Sequence, residues 1–213
     1  MTNDNLKILQ LPLGPLQTNC YLVGCQESKK AAVIDPSWDG ELIVDTAREE
    51  GWTITHILLT HSHFDHVGGL LAVKKLTQAP IYIHPGAIKL LDNAVLAASL
   101  WQITIDPPPP ADKMLADNQE IEVGNLRYNV LFTPGHAPGH VCFYLPEYDV
   151  LFDGDVLFQQ SIGRTDLPGG DHELLMKSIR ERVLVLPDET AVLSGHGPAT
   201  QLGQEKKWNP FLR

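Results

Sequence analysis

The stretch His61-Ser62-His63-Phe64-Asp65-His66 determines how the rest of this sequence is interpreted. It lies between a strand-like run, Ile54–Leu59, and a helix-like run, Val67–Leu76. Loops that follow strands at the edge of a sheet are where α/β folds build their sites. Four residues of the types that ligate metals fall in this one short loop, which predicts a metal site rather than a set of structural histidines.

The spacing within the loop assigns the four side chains to two cations. In an extended loop, His61 and His63 point to the same side, so their imidazoles can share one cation. Asp65 and His66 start the next helix from a different direction and can serve a second cation. Imidazole and carboxylate together suit zinc, iron or manganese and do not select one of them.

Three more segments place a ligand-type residue just past a predicted strand. They are Thr133-Pro134-Gly135-His136, Asp153-Gly154-Asp155 and Ser194-Gly195-His196-Gly197. Because all candidate ligands follow strands, we expect His136, Asp155 and His196 to meet the first loop at one edge of a sheet.

Short apolar runs alternate with helical patterns along the chain, which predicts an α/β sandwich. The predicted strands are Leu6–Leu11, Cys20–Val23, Ala31–Ile34, Ile54–Leu59, Ile81–Ile83, Leu126–Phe132, Val141–Leu145, Val150–Phe152 and Ala191–Leu193. Helices are predicted to begin near Asp39, Asp65, Gly86 and Asp171. In the last of these, apolar residues recur at helical spacing as far as Leu186, with Asp171 as the N-cap.

Composition limits the classes of partner. We expect residues 1–213 to form a single domain. The formal net charge is -10, with 16 basic and 26 acidic residues, which disfavours binding to nucleic acid. The three cysteines have no C-x-x-C spacing and are expected to be free, buried thiols of a reducing compartment.

Targeting signals are not evident in the sequence. The first residues lack a basic region followed by an apolar run, and no run of about 18 apolar residues could span a bilayer. We therefore expect a cytoplasmic protein that acts on a small molecule, without a nucleic-acid or membrane partner. The sequence leaves open whether it is a monomer or a homo-oligomer.

The order of these motifs resembles the metallo-β-lactamase superfamily over nearly the whole chain. H-x-H-x-D-H is followed by T-P-G-H, then G-D, then G-H-G. The resemblance implies an αββα sandwich with two metal ions, zinc before iron or manganese. It assigns His61, His63 and His136 to the first metal, Asp65, His66 and His196 to the second, and Asp155 to a bridge between them. Asp35, at the end of the run Ala31–Ile34, corresponds to an early aspartate with a supporting role.

Further motifs are similar to the glyoxalase II (hydroxyacylglutathione hydrolase-like) thioesterases in their short, single-domain form. These are Gly163-Arg164-Thr165-Asp166, Pro168-Gly169-Gly170-Asp171 and the tail Glu205…Asn209-Pro210-Phe211. Where those enzymes have Lys-x-Tyr for the glutathione backbone, this chain has Arg164-Thr165-Asp166. Arg164 is therefore a candidate to bind a substrate carboxylate, while an internal pair with Asp166 or Asp171 is the alternative.

The resemblance implies hydrolysis of an S-lactoylglutathione-type (hydroxyacyl) thioester by a metal-bridging hydroxide. Asp65 is the candidate catalytic residue that orients the nucleophile and takes its proton. A mononuclear-iron persulfide dioxygenase using His61, His136 and Asp155 is an alternative, as is a lactonase or β-lactamase. An electron-transfer module is disfavoured because such relatives carry Glu where His63 stands.

Several other histidines and one tryptophan are not expected to act in the site. His56 alternates with apolar residues on a predicted strand and indicates a buried, supporting position. By resemblance, His140 is structural. His84 and His172 stand at predicted helix starts, where surface or capping positions are expected, and Trp101 is expected to pack.

Overall fold

The computed structural model describes residues 5–213, which form two main sheets with helices on their outer faces. The strands are β1 (Leu6–Leu13), β2 (Thr18–Cys25), β3 (Lys30–Ile34), β4 (Thr53–Leu58), β5 (Ile81–Ile83), β6 (Lys113–Met114), β7 (Glu120–Val123), β8 (Leu126–Phe132), β9 (Val141–Leu145), β10 (Val150–Gly154), β11 (Leu157–Phe158), β12 (Ser161–Ile162), β13 (Ala191–Ser194) and β14 (Thr200–Gln201). Each strand predicted from sequence is present.

The helices of the described residues are short, with at most 10 residues each. They are α1 (Gly40–Glu49), α2 (Phe64–Val67), α3 (Leu70–Thr77), α4 (Ile88–Asp92), α5 (Ala94–Leu100), α6 (His172–Ser178) and α7 (Leu202–Trp208). Short 3₁₀ turns cover Pro85–Ala87 and Pro210–Leu212, and one π turn, Ile179–Val183, continues α6.

Each main sheet has six strands, in the orders β1-β2-β3-β4-β5-β6 and β14-β13-β10-β9-β8-β7. Pairing is antiparallel from β1 to β3 and parallel from β3 to β6. In the second sheet β10 and β13 are parallel and the other pairs antiparallel. Strands β11 and β12 form a separate hairpin.

Side chains alternate between the faces of each strand and build three apolar layers. The layer between the sheets includes Tyr21, Val23, Phe143 and Phe152. A second layer lies between the first sheet and α1, α3 and α5, and a third between the second sheet, α6 and α7. This order of helix, sheet, sheet and helix confirms the predicted αββα sandwich.

The helix predicted to run from Val67 to Leu76 is divided in the structure. It ends with α2 and starts again as α3, with Gly68 and Gly69 between them. A Cβ on Gly68 would lie 2.5 Å from the carbonyl oxygen of Ser37, and the Gly69 amide donates to the Pro36 carbonyl at 2.9 Å. The break therefore falls where the chain passes close to this neighbouring loop, which leaves no room for a side chain at Gly68.

The predicted helix start at Asp171 is confirmed. The Asp171 side chain accepts a hydrogen bond from the Leu174 amide, as an N-cap does. The segment predicted to continue as a helix to Leu186 instead forms the π turn after Ser178. Helices α5 and α7 and the short strands β6, β7, β11, β12 and β14 were not predicted, because short elements carry little periodicity.

The strand ends that carry the candidate ligands lie together as expected. His61 follows β4, His136 follows β8, Asp155 follows β10 and His196 follows β13. The fold therefore gathers polar residues at one edge of the sandwich, between the two sheets.

Within the described residues, no helix is both long and apolar enough to cross a membrane.

Candidate metal centre

Three histidine side chains converge from two loops, and we call His61, His63 and His136 the imidazole group. His63 Nδ1 lies 3.1 Å from His61 Nε2 and 3.0 Å from His136 Nε2. His61 and His136 are buried and His63 is half-buried. Their ligand atoms are close enough to share one metal ion.

Neighbouring residues fix which nitrogen of His61 and of His136 faces the centre with a lone pair. His136 Nδ1 lies 2.8 Å from the Arg164 carbonyl oxygen, which can only accept, so His136 Nδ1 donates. The Thr60 hydroxyl donates to Asp35 Oδ2 and therefore accepts from His61 Nδ1 at 3.0 Å. The Nε2 atoms of His61 and His136 are thus left as acceptors that point inward, as ligation of a metal requires.

A second cluster lies beside the first, and we call Asp65, His66 and His196 the carboxylate group. Asp65 Oδ2 lies 3.6 Å from His66 Nε2 and 3.2 Å from His196 Nε2. The Thr18 hydroxyl donates to the same oxygen at 2.9 Å. On its far side, His66 Nδ1 lies 3.0 Å from Asp35 Oδ2, which orients the ring.

Asp155 lies between the two groups. Its Oδ2 is 3.5 Å from His136 Nε2 in the imidazole group and 3.6 Å from His196 Nε2 in the carboxylate group. Its Oδ1 is 3.5 Å from His66 Nε2. One carboxylate therefore faces both clusters, and all seven candidate ligands predicted from sequence come together in the structure.

Histidines of the two groups have pKa values that are shifted in opposite directions. Burial, with the positive charge of neighbouring histidines, lowers the pKa of His61 well below its ordinary value and that of His63 to about 4. Burial also opposes protonation of His66, but Asp155 and Asp65 outweigh it and raise its pKa well above the ordinary value. The pKa of His196 is raised too, against burial, by Asp65 and Asp155.

The carboxylates of the centre are strongly acidic. Burial would raise the pKa of Asp65, but His66 and His196 lower it to about 2. The pKa of Asp155 is lowered further, by His66 and His136 against the effect of burial. Both residues are therefore anions at neutral pH, within a cluster of nitrogen donors.

The donor set fits divalent metal ions. His66 Nε2 and Asp155 Oδ1 are buried and have no hydrogen-bond partner within the described residues. Buried polar atoms without a partner are costly, and a cation between them would satisfy both. Inward lone pairs, two carboxylates and close spacing together form a site for metals rather than a hydrogen-bonded core.

Comparison with known proteins identifies the family. A model of the metallo-beta-lactamase superfamily matches residues 13–196, a range that contains every candidate ligand. The chain belongs to this superfamily. The family predicted from the sequence is therefore confirmed.

Two relatives from bacteria match almost end to end. The probable metallo-hydrolase YqgX of Bacillus subtilis is 41% identical over 97% of this chain and 98% of its own length. The hydroxyacylglutathione hydrolase GloC of Haemophilus influenzae is 39% identical over 98% of each chain.

Solved structures of the superfamily match closely as well. BLEG-1, a B3 metallo-beta-lactamase, is 46% identical with a TM-score of 0.91, covering 97% of this chain and 99% of its own. TTHA1623 in a di-iron-bound form is 43% identical with a TM-score of 0.89, covering 96% and 100%. ETHE1 from Myxococcus xanthus is 30% identical with a TM-score of 0.81, covering 96% and 83%.

The remaining histidines lie outside the candidate ligand set, and the structure gives three of them another contact. His140 is fully buried, its Nδ1 lies 3.0 Å from the Thr133 hydroxyl, and its Nε2 accepts from the Asp155 amide at 3.2 Å. His56 stacks on Tyr82 with ring centroids 5.2 Å apart. His84 caps a 3₁₀ turn and His172 is exposed at the start of α6.

Arg164 is paired within its own loop. Its Nε and one terminal nitrogen donate to the two carboxylate oxygens of Asp166, each at 2.7 Å. Both side chains are largely exposed, with 50% and 67% of their surface accessible. The structure thus contains the internal pair that was the alternative to substrate binding, while the Arg164 carbonyl holds His136.

Several residues that contact the centre were not predicted. Thr18 donates to Asp65 and Thr60 links Asp35 to His61. Phe158, on the hairpin, lies with its ring 6.4 Å from that of His196. No local motif marks these positions, because most of these contacts join segments far apart in sequence.

Trp101 was expected to pack, and its ring lies on that of Phe64 with centroids 6.2 Å apart, although Trp101 is 50% exposed.

Proposed function

We propose that this chain hydrolyses thioesters, with S-lactoylglutathione-type (hydroxyacyl) thioesters as its substrates. One observation carries the proposal: the seven-residue centre occurs in a chain that matches the hydroxyacylglutathione hydrolase GloC over 98% of both lengths. An enzyme of this size, with its ligands on strand-end loops, has the parts that metal-assisted hydrolysis requires.

In this proposal the imidazole group would hold one metal and the carboxylate group the other, and Asp155, which faces both clusters, would serve both. When bound, two divalent ions would lower the pKa of a water molecule toward about 7 and stabilise negative charge on the substrate carbonyl oxygen. We propose zinc first. Iron is the main alternative because TTHA1623, at 43% identity, has been seen in a di-iron-bound form.

Asp65 is the proposed catalytic residue. Its carboxylate has a pKa of about 2, so it is ionised at neutral pH and can accept a hydrogen bond from the attacking water. Thr18 fixes one of its oxygens by donating to it at 2.9 Å. Asp65 can therefore orient the nucleophile and take up its proton transiently, while remaining too acidic to keep it.

A thioester suits a site of this kind because its leaving group needs little help. A thiol has a pKa near 8.5, so a thiolate can depart without a strong general acid. Hydrolysis then requires only that the residues position a water and a carbonyl group. Amines and alkoxides are poorer leaving groups and would need a proton donor at the leaving atom.

The experiment is metal analysis of the purified protein together with a substrate panel. We expect about two equivalents of zinc or iron after reconstitution and turnover of a hydroxyacyl-glutathione thioester. A value fixed at one equivalent, whichever metal is added, would contradict the dinuclear centre. Two equivalents without turnover of any thioester would contradict the proposed substrate class and leave the metal centre standing.

The panel also decides between two alternatives that specific relatives favour. Persulfide dioxygenase activity, with iron held by His61, His136 and Asp155, is favoured by the 30% identity to ETHE1. β-Lactamase activity is favoured by the 46% identity to the B3 metallo-beta-lactamase BLEG-1. Oxygen uptake with glutathione persulfide would support the first, and hydrolysis of a cephalosporin or carbapenem the second.

A further inference from the structure

The C-terminal helix contains a buried acid that the proposed mechanism does not use. Glu205, on α7, is only 2% exposed, and Asn209, just after the helix, is fully buried. Burying a carboxylate is costly unless donors surround it. The hydrogen bonds that compensate Glu205 reach two segments next to the metal centre.

One oxygen of Glu205 holds the loop that carries His196. Oε1 accepts from the Thr200 hydroxyl at 2.6 Å. Thr200 begins β14 and lies four residues after His196, on the return from β13. His196 is the most exposed residue of the carboxylate group, with 32% of its side chain accessible, so its position depends on how this loop is fixed.

The other oxygen of Glu205 holds the hairpin of β11 and β12. Oε2 accepts from the Gln160 amide and from Asn209 Nδ2, each at 2.8 Å. The same Asn209 nitrogen donates to the Ser161 carbonyl at 2.9 Å. Gln160 has a φ of 56°, a left-handed turn conformation that a fixed acceptor helps to hold.

These two segments face each other at the centre. The hairpin presents Phe158, whose ring centroid lies 6.4 Å from that of His196. Just beyond the hairpin, Gly163 packs so closely that a Cβ there would lie 1.9 Å from the Asp155 carbonyl oxygen. Movement of the hairpin would therefore displace Phe158 and disturb its neighbours His196 and Asp155.

We propose that Glu205, together with Asn209, is a positioning residue that sets the His196 loop and the Phe158 hairpin relative to each other. Through them it fixes His196 and with it the carboxylate group of the metal centre, whereas the imidazole group is reached only indirectly, through Gly163 and Arg164 beyond the hairpin. The part of this inference that concerns metal rests on the proposed function. The part that concerns the two segments does not.

Four variants separate the contributions. Glu205→Leu removes both acceptors. Glu205→Gln keeps one oxygen for Gln160 and Asn209, and its amide can donate to a rotated Thr200 hydroxyl, so it preserves the hydrogen bonds and removes only the charge. Thr200→Val removes one donor in a side chain of the same shape and serves if Glu205→Leu does not fold. Lys206→Ala is the control, since Lys206 contacts Leu186 and Asp188 instead.

Hydrogen–deuterium exchange tests the two segments without reference to metal or activity. In Glu205→Leu we expect exchange to rise about tenfold or more in residues 157–162 and 196–201. Thr200→Val should affect mainly residues 196–201. Glu205→Gln and Lys206→Ala should match the wild type in both segments. Unchanged exchange in Glu205→Leu, or equal changes in Lys206→Ala, would overturn the proposal.

Titration of the metal-free protein with zinc or cobalt tests the consequence at the centre. Glu205→Leu should bind its second equivalent about tenfold more weakly, with the first within about twofold of wild type. Equal weakening of both equivalents would show a general structural role and overturn the proposal. If the wild type itself binds fewer than two equivalents, the proposed dinuclear centre fails, and the exchange result alone then decides the role of Glu205.

Discussion

The imidazole group and the carboxylate group lie side by side but are prepared for a metal in opposite ways. In the imidazole group, burial lowers the pKa of His61 and His63, so these rings are neutral and present lone pairs. In the carboxylate group, Asp155 and Asp65 raise the pKa of His66 despite its complete burial. His61 and His63 are thus free bases, whereas His66 already favours a positive charge.

Position in the fold, and not residue type, therefore sets the pKa of each histidine. His61 and His66 are both fully buried, five residues apart, and their ring centroids are 4.0 Å apart. The shift differs because His66 has Asp35 on one side and Asp65 and Asp155 on the other. Asp155 also faces His136, so it couples the two groups.

The largest expected effect comes from breaking that coupling. Asp155→Ala removes the carboxylate that lies between both clusters and leaves adjacent cations to repel each other. We expect both metals to be lost at micromolar concentrations and turnover to fall about a thousandfold or more. Metal content by mass spectrometry of the native protein and steady-state kinetics on a thioester measure the two effects.

Matched controls for Asp155→Ala are histidines that the structure places away from the centre. His56→Ala loses a stacking contact with Tyr82, and His172→Ala changes an exposed position. Both variants should retain nearly full metal content. Loss of metal from all three variants to the same extent would mean that the ligand assignment is wrong.

The sequence was sufficient to predict the fold class and which candidate ligands lie together. The strands around the site carry strong apolar runs, and the motif His61–His66 follows one of them directly. These signals are local, so they survive without knowledge of tertiary contacts. The opposite pKa directions of His61 and His66 could not be predicted, because that of His61 depends on burial and that of His66 on contacts with Asp155 and Asp35, which come from other strand ends.

Contacts between distant segments mark the limit of sequence reasoning. The predicted helix divides at Gly68, where the chain lies close to Ser37, and no periodicity reveals such a neighbour. The motif Glu205…Asn209 is visible in the sequence, but its links to Thr200 and Gln160 exist only in the folded chain. A positioning role such as that proposed for Glu205 can therefore be inferred only from the folded structure.

A change of pH should separate the two groups with a smaller effect. The pKa of His66 is raised well above its ordinary value, so the metal-free protein holds a proton there at neutral pH that a metal must displace, and the pKa of His196 is raised in the same direction. Affinity of the carboxylate group should therefore fall as pH falls from 8 to 5.5, by about tenfold per pH unit for each proton displaced. The measurement is a zinc titration at several pH values.

Over the same pH range the imidazole group should change less. The pKa of His63 is about 4 and that of His61 is well below its ordinary value, so neither holds a proton that zinc must displace. Two equivalents at pH 8 should become about one at pH 5.5, held by the imidazole group. Parallel loss of both equivalents, or earlier loss from the imidazole group, would contradict the assigned directions.

The smallest predicted effect concerns Arg164. Its carbonyl oxygen contacts His136 of the imidazole group, and its guanidinium is exposed to solvent. The exposed guanidinium is paired with Asp166, so a substrate carboxylate would have to compete with an anion already in place. Two roles remain for this pair: Arg164 binds an anionic substrate, or the pair braces the loop whose carbonyl holds His136. Substituting each partner in turn distinguishes them.

If Arg164 binds substrate, the two substitutions act in opposite directions. Arg164→Ala should raise KM for an anionic thioester about tenfold with kcat less affected, and Asp166→Ala should lower that KM by freeing the guanidinium. A neutral thioester of similar size would respond little to either change. If the pair braces the loop, both variants lose activity together on both substrates, and the first metal equivalent binds more weakly because His136 is no longer held. Opposite signs on KM would thus establish the binding role predicted from sequence, whereas losses of the same sign would assign Arg164 to the support of the imidazole group.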